Sequence, residues 1–494
     1  MGDRLKLLFS IDTRALAVVR IGLAVLLLTE LFLRLPWFVE FHTSAGFLPL
    51  HSIKNSLLQA GFWSVYFFDD RETVQMIWFG LTGLFAVQLL VGYRTQLAAI
   101  LCWVLFYSLC YRAPLVLTSA DTWLRVGLLW GIFLPLGACW SIDGRRCIGK
   151  PKSETYFSAA TVIILLQITL LWMIAGWAKF AEPLWVNGEA IYYATQLDSL
   201  ATRWTPLLRA NFEWTQWLTW AISFSEVLSP LLLFVVPLLI GVWFRTVAVL
   251  LLAIIYSLLA VFLDLRLDSY IHVVFVLLFV PRPVWTLLCG AGRPTADRLR
   301  QELNLVRQGK GKFRRLGSVD CGRSKSAALL VGLLLSVYPQ LNKVIDQTAV
   351  PYRAEIQKIS NALGFAVGYD FLVPGPSRTE KFWFFLGTLK NGSTVDAFRG
   401  SPAALTVGRD PVSMRPGVHW LRVFPDFYAR LYSPDLRKRF IRVLCNRWKQ
   451  KYPVGPMANL KTIRFRIIED VSALPGGVAI KPIVTGKGIL HKCR

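Results

Sequence analysis

The chain has 494 residues, 54% hydrophobic and 13% aromatic, with 19 tryptophans, a mean hydropathy of +0.48 and a formal net charge of +25. That much apolar surface excludes an ordinary soluble domain and implies a polytopic membrane protein with a soluble remainder. Eight cysteines without a CxxC pair indicate neither a zinc module nor a disulfide framework, and no nucleic-acid-binding module accompanies the basic balance.

In chain order, Met1–Arg14 is polar and amphipathic and leads straight into a full apolar run, so no cleavable signal peptide is read. Apolar runs at Ala15–Leu33, Val74–Val91, Leu97–Leu117, Arg125–Cys139, Phe157–Gly176, Trp217–Ile240, Val247–Leu263, Ile271–Val284 and Ala327–Tyr338 predict nine spans. The fourth, eighth and ninth are short enough to be re-entrant. Lysines and arginines in the short loops orient the spans. Arg4, Lys6 and Arg14 precede the first, and Arg94 follows the second. Arg145, Arg146, Lys150 and Lys152 follow the fourth, and Arg245 lies between the sixth and seventh. Arg293–Lys325 carries ten basic residues against three acidic ones. All fall on one side, which is read as cytoplasmic, with the N-terminus inside a bacterial inner membrane. The long connections Leu35–Thr73 and Trp177–Thr215 then lie outside.

Polar residues in or beside the spans gather in the outer half: Glu30, Asp121, Arg125, Lys179, Glu226, and His272 after Asp264, Arg266 and Asp268. Intramembrane ionisable groups usually face a cavity and mark function, and the plainer reading of each is a structural pair inside the bundle. Lys179 sits between Trp177 and Phe180 at the end of the fifth run. It reads either as a snorkelling interfacial lysine or as an amine kept neutral, and therefore basic, by desolvation. Arg20 alone lies toward the inner half and is expected to snorkel. After the ninth run the chain reads as α+β. Lys381–Leu389 and Ser393–Phe398 flank an Asn-Gly hairpin signal. Trp420–Leu431 and Pro434–Lys451 have helical spacing, and Leu460–Glu469 and Gly477–Val484 read as strands. The expected fold is mainly α: a bundle of eight or nine spans in residues 1–340, then a small extracytoplasmic α+β domain in 341–494. That placement needs Ala327–Tyr338 to cross the membrane. The basic helix Pro434–Lys451 suits solvent, anionic headgroups or an acidic substrate.

Four stretches carry a family resemblance. FSIDTRALAVVRIGLAVLLLTELFLRLPWFVEFHTSAGFLPL, LTSADTWLRVGLLWGIFLPLGACWSIDG, AGWAKFAEPLWVNG, and YDFLVPGPS with FWFFLGTLKNGSTVD occur in that order. They resemble the HTTM family, the bacterial relatives of vitamin K-dependent γ-glutamyl carboxylase. The resemblance implies a quinol-using enzyme, a carbon–carbon lyase and monooxygenase, whose lysine base deprotonates reduced vitamin K, here Lys179. Near the fourth span, where the carboxylase has an assisting histidine, this chain has Asp121. Asp121 would relay a proton or orient a group, and Trp177, Glu226, Glu30 and His272 would complete a pocket for a reduced quinone, with no metal. The expected partners are membrane lipids, a lipid quinol and an acidic peptide or periplasmic protein, not nucleic acid. A second function class stays open: a non-catalytic protein that binds or transports a lipid or small molecule, or scaffolds a periplasmic partner. Geometry separates the two. A lysine in an apolar pocket without a carboxylate favours the enzyme, and one paired with Asp121, Glu182 or Glu226 favours binding or structure.

Overall fold

A computed structural model of the chain describes residues 6, 8–46, 48–146, 155–289, 330–335, 337, 354–365, 375–398, 401–402, 434–477, 483–485 and 490–493. The helical part begins with β1 (Ile11–Asp12), which pairs antiparallel with β2 (Thr155–Tyr156) and so ties the start of α1 (Thr13–Arg34) to the start of the fifth long helix. Asp12 caps α1 by accepting from the Arg14 amide at 2.8 Å, which satisfies one orphan donor of the first turn. Next come α2 (Glu72–Val91), α3 (Thr95–Arg112), α4 (Ser119–Gly131) and α5 (Ala159–Phe180). They are followed by α6 (Phe212–Val227), α7 (Val242–Phe262) and α8 (Asp268–Val276).

Among the described residues five helices are long and apolar enough to cross a membrane, or up to seven if each of two bent pairs counts as one span. The first bent pair is α6 with Leu231–Leu239, turned by 62°, and the second is Asp268–Phe279 with Arg282–Leu288, turned by 104°. Proline explains both breaks, since Pro230 and Pro281 each lack an amide hydrogen and clash with the preceding turn. The fourth apolar run is helical only to Gly131. Beyond it the backbone turns back, and Arg20 donates to the carbonyls of Leu136, Cys139 and Trp140 at 3.3, 3.4 and 2.6 Å. Arg20 therefore does not snorkel. It is fully buried and closes that turn. Residues 327–329, 336 and 338 of the ninth run lie outside the described residues. Residues 330–335 of it are helical, and Ser360 donates to the Leu335 carbonyl at 3.0 Å.

The C-terminal part joins two helices, α9 (Ala354–Ala362) and α10 (Pro434–Lys451), to an antiparallel sheet. Its strands are β3 (Thr379–Leu389), β4 (Thr394–Asp396), β5 (Ser401–Pro402), β6 (Leu460–Val471), β7 (Ile483–Thr485) and β8 (Leu490–Lys492). Their order is β5-β4-β3-β6-β7, with β8 also pairing β6. The β3–β4 turn falls at the expected Asn-Gly, with Gly392 at φ +86°, a conformation that glycine adopts without a Cβ penalty. The expected helix Trp420–Leu431 and most of YDFLVPGPS lie outside the described residues. Phe440, Ile441, Leu444 and Trp448 of α10 pack on the sheet in one core with Phe41, Leu48, Ala113 and Val116. A disulfide joins Cys445 of α10 to Cys493 after β8. Arg447 approaches Glu40 at 3.3 Å and Arg439 donates to the Ser44 and Gly46 carbonyls. The unit thus lies against the connections that follow α1, α3 and α5, at one end of the bundle.

One seam of that contact carries a pH dependence. Glu380 of β3 accepts from the amides of Asp198 and Ser199 at 2.6 and 2.8 Å. Burial pushes its carboxyl above the usual range, and burial followed by the nearby Asp198 does the same to Asp470. A carboxyl raised in the folded state binds protons more readily there than in the unfolded chain. Its stabilising contribution is complete below the unfolded value near 4.5 and is lost as pH rises through the folded one. Mild acidification from pH 7 should therefore raise the unfolding midpoint of the full chain. Glu380→Gln, which cannot ionise, should flatten that response. A midpoint that falls on mild acidification would contradict the sign.

Candidate functional site

The site starts from a glycine. Gly176 lies one turn before Lys179 on α5, and a Cβ at that position would come within 2.7 Å of the Val227 amide and 2.9 Å of the Glu226 Cβ. The missing side chain lets α6 approach closely enough for the next turn of α5 to meet its last turn. There Lys179 Nζ lies 2.5 Å from Glu226 Oε2, with both side chains out of solvent. Glu226 sits just before the proline break, where α6 changes direction. Its other oxygen accepts from the Tyr256 hydroxyl of α7 at 3.3 Å. The Trp185 ring lies 5.1 Å from the ammonium, a cation–π contact that adds support once water is excluded.

Tyr256 connects this pair to His272. The two rings stack at 4.6 Å with 14° between planes. His272 Nδ1 accepts from Trp172 Nε1 at 2.9 Å, so that nitrogen carries no proton. The Trp123 ring stands edge-on to the imidazole at 4.8 Å. Lys179, Glu226, Tyr256 and His272 thus form one buried row contributed by α5, α6, α7 and α8.

Glu30 and Asp121 belong to a second centre, built on Arg34. Arg34 Nε contacts Glu30 at 2.7 Å and its Nη2 contacts Asp121 at 2.6 Å, and all three side chains are almost fully buried. The Asp121 carboxylate also accepts from the Thr118 amide at 2.7 Å while Thr118 caps α4, a reciprocal capping box. Asp121 was expected beside Lys179. It is instead committed to Arg34 and to the start of α4. Trp177 is 63% exposed on the outer face of α5, because residues 177 and 179 point about 200° apart around a helix. Trp185 takes the aromatic place beside Lys179. The expectation missed Tyr256, Trp172 and Arg34. Glu30–Arg34 spacing at i,i+4 was the available signal for the last.

A buried row of this kind can hold charge, exchange protons along the Lys179–Glu226–Tyr256 contacts and offer aromatic faces. Among the described residues no group of three or more His, Cys, Asp or Glu side chains could hold a metal ion. Comparison with protein-family models, curated proteins and solved structures gives no match to this chain.

Proposed function

We propose that the chain is a multi-pass membrane protein related to the HTTM proteins, which binds a lipid or small hydrophobic molecule in the outer half of its bundle. In this reading Lys179 and Glu226 are a fixed pair in the wall of that site. The observation that carries it is the 2.5 Å contact between the two side chains. A lysine that rests as a base needs its amine free of a counter-charge, whereas this one is held against a carboxylate out of solvent. The break in α6 beside Glu226 supports the same reading, since broken membrane helices occur where backbone lines a cavity.

A second reading keeps the chemistry of the resemblance: a quinol-using, carboxylase-like enzyme with Lys179 as base. It is favoured by Tyr256, whose hydroxyl contacts Glu226 while its ring stacks on His272, giving a proton path away from Lys179 once a ligand displaces the pair. In either reading eight or nine spans, counting α4 and Ala327–Tyr338, put the N-terminus inside and the C-terminal unit outside an inner membrane. The basic loops support that orientation, and so does the Cys445–Cys493 disulfide, which suits an oxidising compartment. After mild reduction, a membrane-impermeant thiol reagent should label Cys445 and Cys493 on spheroplasts. Labelling only after lysis would place the unit in the cytoplasm.

The functional test is mass spectrometry of lipids and quinones that co-purify with the native protein and with the double variant Lys179→Met/Glu226→Leu. The binding reading expects one molecule enriched over bulk membrane lipid and retained by the double variant. A quinone bound to the native protein and lost from the variant would favour the enzyme. Enrichment of nothing in either sample would overturn the binding reading.

A further inference from the structure

The exposed face of α2 ends in a basic corner. Ile77, Leu84, Val87 and Val91 share one side of that helix, and each is exposed. At 1.5 Å per residue this apolar stripe runs roughly 21 Å along the axis. It stops at Val91, directly before Gly92, Tyr93 and Arg94. Leu97 and Ile100, exposed in the first turns of α3, continue it on the other arm of the hairpin. In a membrane such a stripe faces lipid, and its end marks the level where hydrocarbon gives way to headgroups.

At that level the backbone is held tightly, because the turn after α2 interlocks with the turn after α4. Asp143 accepts from the Arg94 and Thr95 amides at 2.9 and 2.7 Å and from the Thr95 hydroxyl at 2.7 Å. Its own amide donates to the Gly92 carbonyl at 3.0 Å. The buried Arg20 fixes the other side by donating to the Trp140 carbonyl at 2.6 Å. Arg94 and Trp140 are two of the four non-glycine residues with a left-handed backbone among the described residues, at φ +43° and +46°. That conformation is unfavourable for a residue with a Cβ. It persists only where the surroundings dictate it, and such residues cluster at active and ligand-clamping sites. Here the packing pins both backbones and leaves both side chains exposed.

The exposed groups suit one kind of ligand. Arg94 and Arg146 lie on Tyr93, with Cζ 5.8 and 4.9 Å from its ring centroid. Arg145, the sequence neighbour of Arg146, is exposed as well. Three guanidiniums thus meet one carboxylate, and Asp143 already serves the Arg94 and Thr95 amides. Trp140 and Ile142, 52% and 39% exposed, give the corner an apolar rim. Guanidinium groups pair with phosphate through charge-assisted hydrogen bonds, and Tyr and Trp favour the headgroup level of a bilayer. A soluble phosphate would meet the cations and leave the stripe and Trp140 in water. A phospholipid covers both.

We propose that this corner binds an anionic phospholipid, with the headgroup phosphate among Arg94, Arg145 and Arg146, Trp140 and Ile142 beside it, and an acyl chain along the stripe from Ile77 to Val91. The site rests on the membrane reading above and is independent of what the Lys179 row binds or does. In the proposed orientation the corner meets the cytoplasmic leaflet, whose anionic lipids attract such clusters.

The test places the full chain in nanodiscs made from an equal mixture of phosphatidylglycerol and phosphatidylcholine. Native mass spectrometry then counts the lipids retained on the released protein. The native protein should retain phosphatidylglycerol in clear excess over the mixture. Arg94→Gln/Arg146→Gln should lower that preference by about fivefold for each arginine removed. Trp140→Gly should be no less stable in detergent, because glycine takes the left-handed backbone freely, yet it should retain less of the anionic lipid. A control with the same loss of charge at exposed positions on the sheet, Lys390→Gln/Lys461→Gln, should keep the native preference. No preference in the native protein would overturn the site. So would an undiminished preference in either corner variant, or an equal drop in the control. A chain that does not enter nanodiscs would defeat the membrane reading and the site together.

Discussion

Replacing Glu226 with leucine should cost roughly 3–5 kcal/mol of folding stability, because it leaves the Lys179 ammonium buried without its counter-charge. The contact is 2.5 Å long and excluded from water on both sides, so little solvent is available to take over. Changing Lys179 to methionine in the same chain should recover most of that loss, since two apolar side chains of similar volume suit a dry helix crossing as well as an ion pair does. The measurement is a double-mutant cycle by reversible unfolding in mixed micelles. A double variant no more stable than the worse single variant would mean that the two residues do not compensate each other.

Arg34 should be the more sensitive position. It bridges two buried carboxylates, at 2.7 Å to Glu30 and 2.6 Å to Asp121. Arg34→Met leaves both facing each other without the cation that touches them, a loss at or above the roughly 3–5 kcal/mol of a single broken buried pair. Asp121→Asn keeps Arg34 on Glu30 and weakens the α4 cap, where cap losses run at about 0.5–2 kcal/mol. The expected order of destabilisation is therefore Arg34→Met well above Asp121→Asn, measured as unfolding midpoints and as yield of folded protein. A triple variant with leucine at 30 and 121 and methionine at 34 should regain much of the loss. If Arg34→Met unfolds no more easily than Asp121→Asn, the triad is not what holds α1 to α4.

The parts of this arrangement readable from the sequence share a physical cause. Lys179 and Glu226 were visible because charge inside an apolar run is rare and expensive. The hairpin after Leu389 was visible because Asn-Gly fits a turn that most residues resist. Pairing across helices was less visible, because it depends on crossing geometry that residue spacing does not encode. Gly176 is the residue that sets it, and a glycine near the end of a span has no single meaning. Tyr256 was hidden for a related reason: within an apolar run a tyrosine reads as one more aromatic until a carboxylate from another helix meets its hydroxyl. Asp121 was tied to Lys179 by the family resemblance, where it stands in place of an assisting histidine, while Arg34, four residues after Glu30, was passed over. Arg20 was read as snorkelling since backbone carbonyls released by the turn after α4 cannot be seen in a hydropathy pattern. Nine apolar runs were read, and among the described residues five helices, or seven counting bent pairs, are long and apolar enough to cross. Pro230 and Pro281 bend two of the runs, and the run ending at Cys139 stops being helical at Gly131.

The claim that Lys179 rests as one half of a fixed pair is tested most directly by its charge. Nitrogen-15 NMR of the Nζ of labelled lysine, with the full chain in nanodiscs at pH 7 and the Lys179 signal assigned by its absence from a Lys179→Arg sample, distinguishes ammonium from amine. The ion-pair reading predicts an ammonium signal at Lys179 that moves when Glu226 is changed to glutamine. A neutral amine in the native protein would contradict it and give Lys179 the protonation state that a resting base requires.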